Sequence, residues 1–393
     1  MAKYIFLTLP AYGHVNPTLA IAQVLLNRGQ EVIYYLPEEF QETVQATGAF
    51  FRSYESKLMK NIAMMPPMLG EESRLVLPQV LDRIRVDTPD VIVHEPVCLW
   101  TRIVAQLLRV PAISLRPTYA MNEYFNVSSL RALIPADRLS QMRDVLRKAN
   151  ASIAEVCAIY HLPPMDLPSI LMYTEPLNIV FFPKAFQPAG ETFDERHLFV
   201  GPSILSRHQA TDFPLDQLSS ERPLLYISLG TIFNNEPAFF KQCFEAFGES
   251  NYQVVLSRGK HVDPATLGPI PDNFLVSPYV PQLDILFRAR VFVTHAGMNS
   301  TMESLYYGVP MVAVPQTQEQ VVTARRIAEM GLGLMLEKEA VTVTTLYEAV
   351  KHVVNDSGCR QRVQQMQQVT REAGGYLRAT DAMMQFTQEH AKR

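Results

Sequence analysis

The residues from Val291 to Pro315 have types and a spacing suited to holding a phosphate group. The stretch begins as an apolar strand that ends at His295, and a turn containing Gly297 follows. A helix is predicted to begin at Asn299 or Ser300. A strand–turn–helix with glycine at the turn directs backbone N–H groups and the positive end of a helix toward one point. Since α/β proteins bind ligands at the carboxyl ends of strands, the stretch predicts a diphosphate site.

A purely structural interpretation of the same residues stays open. The segment from Ser300 to Glu303 fits a capping box, in which the glutamate only satisfies the helix end. His295 would then be an ordinary strand-end residue, and Gly297 would serve turn geometry alone. In either interpretation Gly308 is expected to end the helix, before a second apolar strand.

A second constellation pairs a histidine with a carboxylate. His14 is expected on a loop after the first strand, before a helix that starts at Asn16-Pro17, and Glu95 follows a later strand. In a parallel sheet both loops lie at the same edge, so the two side chains are expected to meet. Such a pair can act as a general base held by an acid. The structural alternative makes His14 a helix-start residue and Glu95 a solvated loop acid.

The elements that must position these residues alternate between strand and helix. The first two strands, Tyr4 to Leu9 and Val32 to Leu36, flank a helix and form a βαβ unit, whose strands should be parallel. Further strands are expected at 91–93, 112–115, 178–182, 198–202, 224–229, 252–256 and 273–276. Helices are expected at 101–108, 131–160, 283–288, 345–355, 360–372 and 376–390. The alternation predicts an α/β protein.

Length and composition limit the class of protein. The 393 residues exceed one typical core, so two domains are expected. Hydrophobic residues make up 48% of the chain and charged residues 19%, which is typical of an ordered globular protein. A net charge of -4 provides no basic surface for nucleic acid or for an anionic membrane.

Cysteine usage and the start of the chain indicate a cytoplasmic protein. The first apolar run is too short for a signal peptide, and Pro10 breaks it. No segment approaches the ~20 uninterrupted apolar residues of a membrane span. The cysteines lack metal-ligand spacing and are expected to be reduced. The chain contains no Asp-x-Asp sequence, so a metal clamp on a diphosphate is not expected.

Several motifs together resemble the signature of family 1, the UDP-dependent glycosyltransferases, and within it the bacterial macrolide and flavonoid glucosyltransferases. The resemblance covers nearly the whole chain. Its motifs are Gly13-His14-Val15-Asn16-Pro17, Ser228-Leu229-Gly230-Thr231, Val280-Pro281-Gln282, His295-Ala296-Gly297, Asn299-Ser300, Glu303, Gly308-Val309-Pro310, Pro315-Gln316 and Glu319-Gln320. Their combined order and spacing make the set specific, whereas the first motif alone is not.

The resemblance implies the GT-B architecture, in which two facing, Rossmann-like, doubly wound domains enclose a cleft. An N-terminal acceptor-binding domain is expected at residues 1–205, and a C-terminal domain that binds a UDP-sugar at 223–375. A polar linker with prolines is expected at 206–222. A last helix, 376–393, is expected to pack back on the N-terminal domain.

The resemblance also implies catalytic roles. His14 is the base, and Glu95 is the acid that orients it. The family usually has aspartate where this chain has Glu95, so the extra methylene is expected to move the carboxylate by about one bond length.

The donor-binding roles implied by the resemblance follow the parts of a UDP-sugar. His295, the helix end and the Gly230-Thr231 turn hold the diphosphate, and Tyr279 stacks on the uracil. Glu303 binds the ribose diol, and Glu319 and Gln320 bind sugar hydroxyls. The complete expected set is Gly230, Thr231, Tyr279, Val280, Gln282, His295, Gly297, Asn299, Ser300, Glu303, Glu319 and Gln320.

A methionine-rich stretch from Lys57 to Met68 is a candidate acceptor pocket, because thioether side chains adapt to varied apolar shapes. Residues after the strand at 112–115 are expected to line the same pocket. The expected lining is Met59, Met64, Met68, Tyr119, Met121, Asn122 and Phe125. The alternative is a loop whose methionines only pack on the core.

These inferences predict an inverting hexosyltransferase that moves glucose from UDP-glucose to a hydroxyl of a hydrophobic small molecule, such as a macrolide, a flavonoid or another phenol. No permanently bound cofactor, metal, nucleic-acid partner or membrane span is expected. A sugar-nucleotide epimerase of the same fold is one alternative, and it would act without an acceptor. A non-catalytic protein that binds hydrophobic ligands is another, and it would release no UDP.

Overall fold

In the computed structural model the chain divides into two compact units. The structure describes residues 1–58, 65–131, 139–205, 213–219, 221–232 and 234–390. One unit comprises Met1–Ile204 together with Ala373–Arg393, and the other comprises Leu205–Glu372. Of the segment expected to be a linker, 206–222, the structure describes 213–219, 221 and 222.

The first unit contains a seven-stranded sheet. Its strands are β1 (Lys3–Leu7), β2 (Glu31–Leu36), β3 (Phe50–Ser53), β4 (Val91–His94), β5 (Ala112–Arg116), β6 (Leu177–Val180) and β7 (His197–Phe199). They are arranged in the order β3-β2-β1-β4-β5-β6-β7, and every neighbouring pair is parallel. The direction of winding changes between β1 and β4, which is where doubly wound sheets bind ligands.

Helices cover both faces of this sheet. They are α1 (Tyr12–Asn27), α2 (Gln41–Gln45), α3 (Met65–Asp87), α4 (Leu99–Leu108), α5 (Val127–Arg131), α6 (Leu139–Ile159), α7 (Leu167–Met172) and, at the end of the chain, α14 (Gly375–His390). One apolar core lies between the sheet and α3, α4, α6 and α7, and the other lies between the sheet and α1, α2 and α14. In α14, Met383 is fully buried, and the hydroxyls of Tyr4 and Thr387 are 2.8 Å apart.

The second unit repeats the same winding with six strands. These are β8 (Leu224–Ser228), β9 (Gln253–Ser257), β10 (Phe274–Ser277), β11 (Ala289–Thr294), β12 (Met311–Ala313) and β13 (Gly333–Met335). The order β10-β9-β8-β11-β12-β13 places its change of direction between β8 and β11. Its helices are α8 (Pro237–Phe247), α9 (Gln282–Arg288), α10 (Met298–Tyr307), α11 (Gln318–Glu329), α12 (Val343–Asn355) and α13 (Ser357–Glu372).

The first helix begins earlier than the sequence suggested, so the expected start at Asn16-Pro17 is wrong. Helix α1 begins at Tyr12, and the backbone N–H of His14 donates to the carbonyl of Ala11 at 2.9 Å. Pro17 therefore lies inside the helix and is buried, and Val15 beside it belongs to the apolar core against the sheet. Burial against the sheet outweighs the helix-start preference of Asn-Pro, and His14 lies in the first helical turn instead of a loop.

The described part of the methionine-rich stretch is helical from Met65 onward. The described part of helix α3 begins at Met65 and includes Pro66 and Pro67. Met65 and Met68 pack against the apolar core of the first unit.

Candidate functional site

The switch point of the first sheet brings a histidine and a glutamate together. Strands β1 and β4 pair with Leu7 opposite His94, so the residues that follow them lie at one edge. Nδ1 of His14 is 2.5 Å from Oε2 of Glu95. The other oxygen of the Glu95 carboxylate accepts the backbone N–H of Leu9 at 3.2 Å. Glu95 therefore ties the segment after β1 to the segment after β4.

Burial is unequal within this pair. The His14 side chain is 21% exposed, whereas that of Glu95 is 2% exposed. A buried carboxylate against Nδ1 favours the tautomer with the proton on Nδ1, which makes Nε2 the basic nitrogen. It also stabilises the imidazolium that forms when Nε2 accepts a proton. The glutamate side chain, which is one methylene longer than aspartate, reaches the imidazole directly.

A buried polar row beside this pair was not predicted from the sequence. It runs across β4 to β7 in register, through His94, Ser114, Asn178 and His197. Nε2 of His94 is 2.9 Å from Oε1 of Glu175. Arg116 donates to the carbonyls of Leu171 and Tyr173 at the end of α7, and burial lowers the pKa of this guanidinium to about 10. The row lies one residue from Glu95 and fixes the carboxyl end of β4. It could not be predicted, because the sequence does not give the register in which strands pair.

At the switch point of the second sheet, His295 lies between two glycines. A Cβ at Gly230 would be 2.6 Å from Nε2 of His295, and a Cβ at Gly297 would collide with the same nitrogen. Gly230 also has a φ of +80°, which favours glycine. The turn after β8 and the turn after β11 thus enclose the imidazole from two sides.

Enclosure keeps this imidazole neutral. Burial lowers the pKa of His295 to about 4, and the nearby backbone carbonyl of Ser228 opposes the shift only in part. At neutral pH His295 is therefore an uncharged hydrogen-bonding group, not a cation. A neutral imidazole can donate to a phosphate oxygen, and negative charge that develops there would raise its affinity for a proton.

The helix after His295 begins without a side-chain cap. Gly297 is the N-cap of α10 and makes no side-chain cap hydrogen bond, so the alternative of a capping box from Ser300 to Glu303 is not the arrangement found. Ala296 has a φ of +61°, a strained conformation for a residue with a side chain. An uncapped helix start beside a strained turn and a glycine turn suits an anion.

Glu303 and Ser300 instead share a partner on another helix. Nε2 of Gln282, the first residue of α9, is 2.5 Å from Oε2 of Glu303 and 3.2 Å from Oγ of Ser300. The hydroxyl of Tyr226 donates to Oε1 of the same amide at 2.8 Å. The structure thus brings together three of the expected donor residues with a tyrosine that sequence reasoning missed.

The remaining expected donor residues lie in four places: before α9, in the turn after Gly230, and in the first turns of α10 and α11. Tyr279 is 41% exposed, and the ammonium of Lys260 lies 5.1 Å from its ring centroid. Gln320 uses its side-chain oxygen to accept the N–H groups of Gln316 and Thr317 in a capping box at the start of α11. Glu319 is exposed in the first turn of the same helix. Thr231 is exposed in the turn after Gly230, Val280 is buried, and Asn299 lies in the first turn of α10.

The described acceptor candidates lie in helix α3 and in the segment that follows β5. Met59 and Met64 lie outside the described residues. Tyr119 and Phe125 belong to an aromatic cluster in which their ring centroids are 5.7 Å apart, and Met121 is buried. Asn122 holds a turn, since its side-chain oxygen accepts the N–H groups of Tyr124 and Phe125 and its amide donates to Thr192.

Two further features concern metals and membranes. Within the described residues, no group of three or more His, Cys, Asp or Glu side chains is arranged to hold a metal ion. None of the described helices is long and apolar enough to cross a membrane.

Comparison with known proteins decides the family. The family model described as UDP-glucoronosyl and UDP-glucosyl transferase matches residues 209–373. The NDP-glycosyltransferase YjiC of Bacillus subtilis is 41% identical over 406 residues, which covers 100% of this chain and 99% of that protein. The chain belongs to family 1 of the glycosyltransferases.

Two further glycosyltransferases are similar over most of their length. The oleandomycin glycosyltransferase of Streptomyces antibioticus is 31% identical over 388 residues, covering 95% of this chain and 88% of that enzyme. The crystal structure of CalG4, the calicheamicin glycosyltransferase, superposes with a TM-score of 0.84 at 28% identity and covers 100% of both chains. The two parallel-sheet units of this glycosyltransferase therefore have the GT-B fold that the sequence predicted.

Proposed function

We propose that this glycosyltransferase is an inverting enzyme that transfers glucose from UDP-glucose to a hydroxyl of a hydrophobic small molecule, with His14 as general base. The observation that carries the proposal is the 2.5 Å contact between Nδ1 of His14 and the buried carboxylate of Glu95 at a sheet switch point. In this proposal the first unit binds the acceptor and the second unit binds the donor.

The base step follows from the geometry of the pair. Nε2 of His14 takes the proton of the acceptor hydroxyl as its oxygen attacks the anomeric carbon of the sugar. The bond from that carbon to the diphosphate oxygen breaks on the opposite side, so the configuration inverts. The Glu95 carboxylate stabilises the imidazolium, and because it also holds the Leu9 N–H, the ring need not reorient during the reaction.

The leaving diphosphate is the reason for assigning the second unit to the donor. The uncapped start of α10, the glycine turn after β8 and the neutral His295 all converge at one switch point. Fixed donors aimed at developing negative charge lower the barrier without reorganising during the reaction. Glu303 binds the ribose diol, Tyr279 stacks on the uracil, and Glu319 with Gln320 binds sugar hydroxyls.

The acceptor class rests on the relatives. The names of two similar enzymes refer to oleandomycin and to demethyllactenocin. We extend this to macrolides, flavonoids and other phenols as acceptors. The proposal places the enzyme in the cytoplasm, supported by four cysteines that are all buried and free.

The test is UDP release from UDP-glucose, with and without a flavonoid or macrolide, and with mass spectrometry of the product. An acceptor mass increased by one hexose, together with acceptor-dependent UDP release, is expected. Conversion of the UDP-sugar without an acceptor would favour the epimerase alternative. No UDP release with a broad acceptor panel would favour a ligand-binding protein.

A further inference from the structure

Gln282 joins three side chains around the expected ribose position. Its Oε1 accepts a hydrogen bond from the hydroxyl of Tyr226 at 2.8 Å. Its Nε2 is 2.5 Å from Oε2 of Glu303 and 3.2 Å from Oγ of Ser300. The four residues come from β8, α9 and α10, so the amide connects three separate elements of the second unit.

The direction of these hydrogen bonds is fixed by chemistry. An ionised carboxylate only accepts, so the side of the amide that faces Glu303 must be the NH₂ group. The amide oxygen therefore faces Tyr226, and the phenol must be the donor. If the amide turned by half a rotation, its oxygen would face the carboxylate and repel it. The Glu303 carboxylate thus sets the orientation of the Gln282 amide, and the Tyr226 hydroxyl anchors the oxygen of that amide.

Tyr226 is well suited to be a fixed reference. It is 1% exposed in β8, and its ring stacks on Phe292 of β11 at 4.5 Å between centroids and 9° between planes. Burial raises the pKa of the phenol well above its usual value; the Ser228 side chain opposes this shift and the charge of Glu303 adds to it. The hydroxyl is therefore protonated at neutral pH and can donate.

We propose that Tyr226 is a positioning residue for ribose recognition. It acts through Gln282 to hold the Glu303 carboxylate against the vicinal diol of the nucleotide, and we call the path Tyr226–Gln282–Glu303 the relay. Tyr226 thereby contributes to the affinity for ribonucleotides, and it contributes nothing to the affinity for nucleotides without the diol. This rests on the proposed function, in which Glu303 binds the ribose.

The experiment compares UDP with 2′,3′-dideoxy-UDP by calorimetry. In Tyr226→Phe the stacked ring is kept and only the donor hydroxyl is lost. Its UDP affinity is expected to fall by about tenfold, the equivalent of one hydrogen bond to a charged network. Its affinity for the dideoxy nucleotide should change by less than about twofold, because that nucleotide has no diol for Glu303 to bind.

The relay also predicts coupling between the two residues. Tyr226→Phe combined with Glu303→Ala should bind UDP within about twofold of Glu303→Ala alone, since the hydroxyl acts only through the glutamate. Tyr34→Phe is the matched control: it removes a buried strand hydroxyl that is 2.7 Å from Thr18 in the first unit. That variant should leave both nucleotide affinities unchanged.

The outcomes separate the relay from the proposed function. Equal weakening of both nucleotides in Tyr226→Phe, or additive effects in the double variant, would overturn the relay. If Glu303→Ala removes the preference for UDP while Tyr226→Phe retains it, the relay is wrong and the ribose role of Glu303 stands. If Glu303→Ala keeps the parent preference, the ribose assignment fails, and the relay fails with it.

Discussion

At the scale of single residues, Glu95 differs from the aspartate usual in the family, yet it contacts His14 and the Leu9 N–H together. An amide cannot stabilise an imidazolium, so Glu95→Gln should lower kcat/KM by about 10²–10³-fold, within the range for losing base catalysis. Glu95→Asp keeps the charge and should lose less. Steady-state kinetics of the three proteins on one acceptor compare them directly.

The order of the two variants is the critical result. The kcat/KM of Glu95→Asp should exceed that of Glu95→Gln, whether the aspartate fits better or worse than the glutamate. Glu95→Gln with the activity of the parent would mean that this side chain only ties two segments together. His14 would then act alone or beside another carboxylate.

His295 predicts a pH dependence of stability. The unfolded chain has an ordinary histidine pKa of about 6.5, whereas burial lowers the pKa in the folded protein to about 4. Between these values the unfolded state binds more protons, so stability is lost as pH falls from 6.5 toward 4. Between pH 7 and pH 5 this one group should cost about 2 kcal/mol in the free energy of unfolding.

The variant His295→Gln isolates this contribution from those of other groups. Urea unfolding followed by circular dichroism at the two pH values should show a loss about 2 kcal/mol larger in the parent than in the variant. Equal losses in both proteins would mean that the imidazole titrates normally and is accessible to water in the folded state.

From the sequence, residue types indicated the candidate site residues, but the contacts that these residues make could not be predicted. His14, His295 and Glu303 could be singled out because their types and positions relative to strands restrict the chemistry. The turn-holding role of Asn122 and the cap made by Gln320 could not be predicted in the same way. Polar side chains can satisfy backbone groups or a ligand, and only the three-dimensional structure shows which backbone groups are near.

At the scale of elements, a proline caused one error in the sequence prediction. Asn16-Pro17 suggested a helix start, but Pro17 lies inside α1. Proline is compatible with a helix start and tolerated further inside when apolar burial compensates. Burial depends on the sheet that the helix packs against, and local sequence does not specify it.

Adding one methyl group in the turn after β8, at Gly230, is expected to disturb the donor site. Gly230→Ala places a Cβ against the His295 ring and strains a backbone with a φ of +80°. The imidazole must move away from the switch point, so UDP affinity should fall at least about tenfold, and kcat should fall as well. Calorimetry with UDP and steady-state kinetics measure the two effects.

Gly268 offers a control with the same backbone strain. Its φ is +78°, but a Cβ there would meet no atom within 4 Å. Gly268→Ala should therefore lower stability by about 1 kcal/mol while UDP affinity stays unchanged. If both variants bind UDP like the parent, the close packing of glycine and imidazole is not part of the donor site.

At the scale of the whole molecule, the two units share one winding order with the change of direction at equivalent strands. This much could be predicted, because alternating strands and helices favour parallel sheets and the motifs follow particular strands. The register of the strands could not be predicted. The polar row from His94 to His197 and the relay from Tyr226 to Glu303 therefore could not be predicted either. Both depend on which residues of distant strands and helices face one another.

The central claim is that His14 is the general base. It is tested most directly by kcat of the parent and of His14→Ala with UDP-glucose and an unactivated alcohol acceptor, alongside the Kd for UDP. Loss of a general base should lower kcat by about 10²–10⁴-fold, with the Kd for UDP within about twofold of the parent. The loss should shrink with acidic phenols, which are already ionised. Near-native turnover of the alcohol by His14→Ala would contradict the claim.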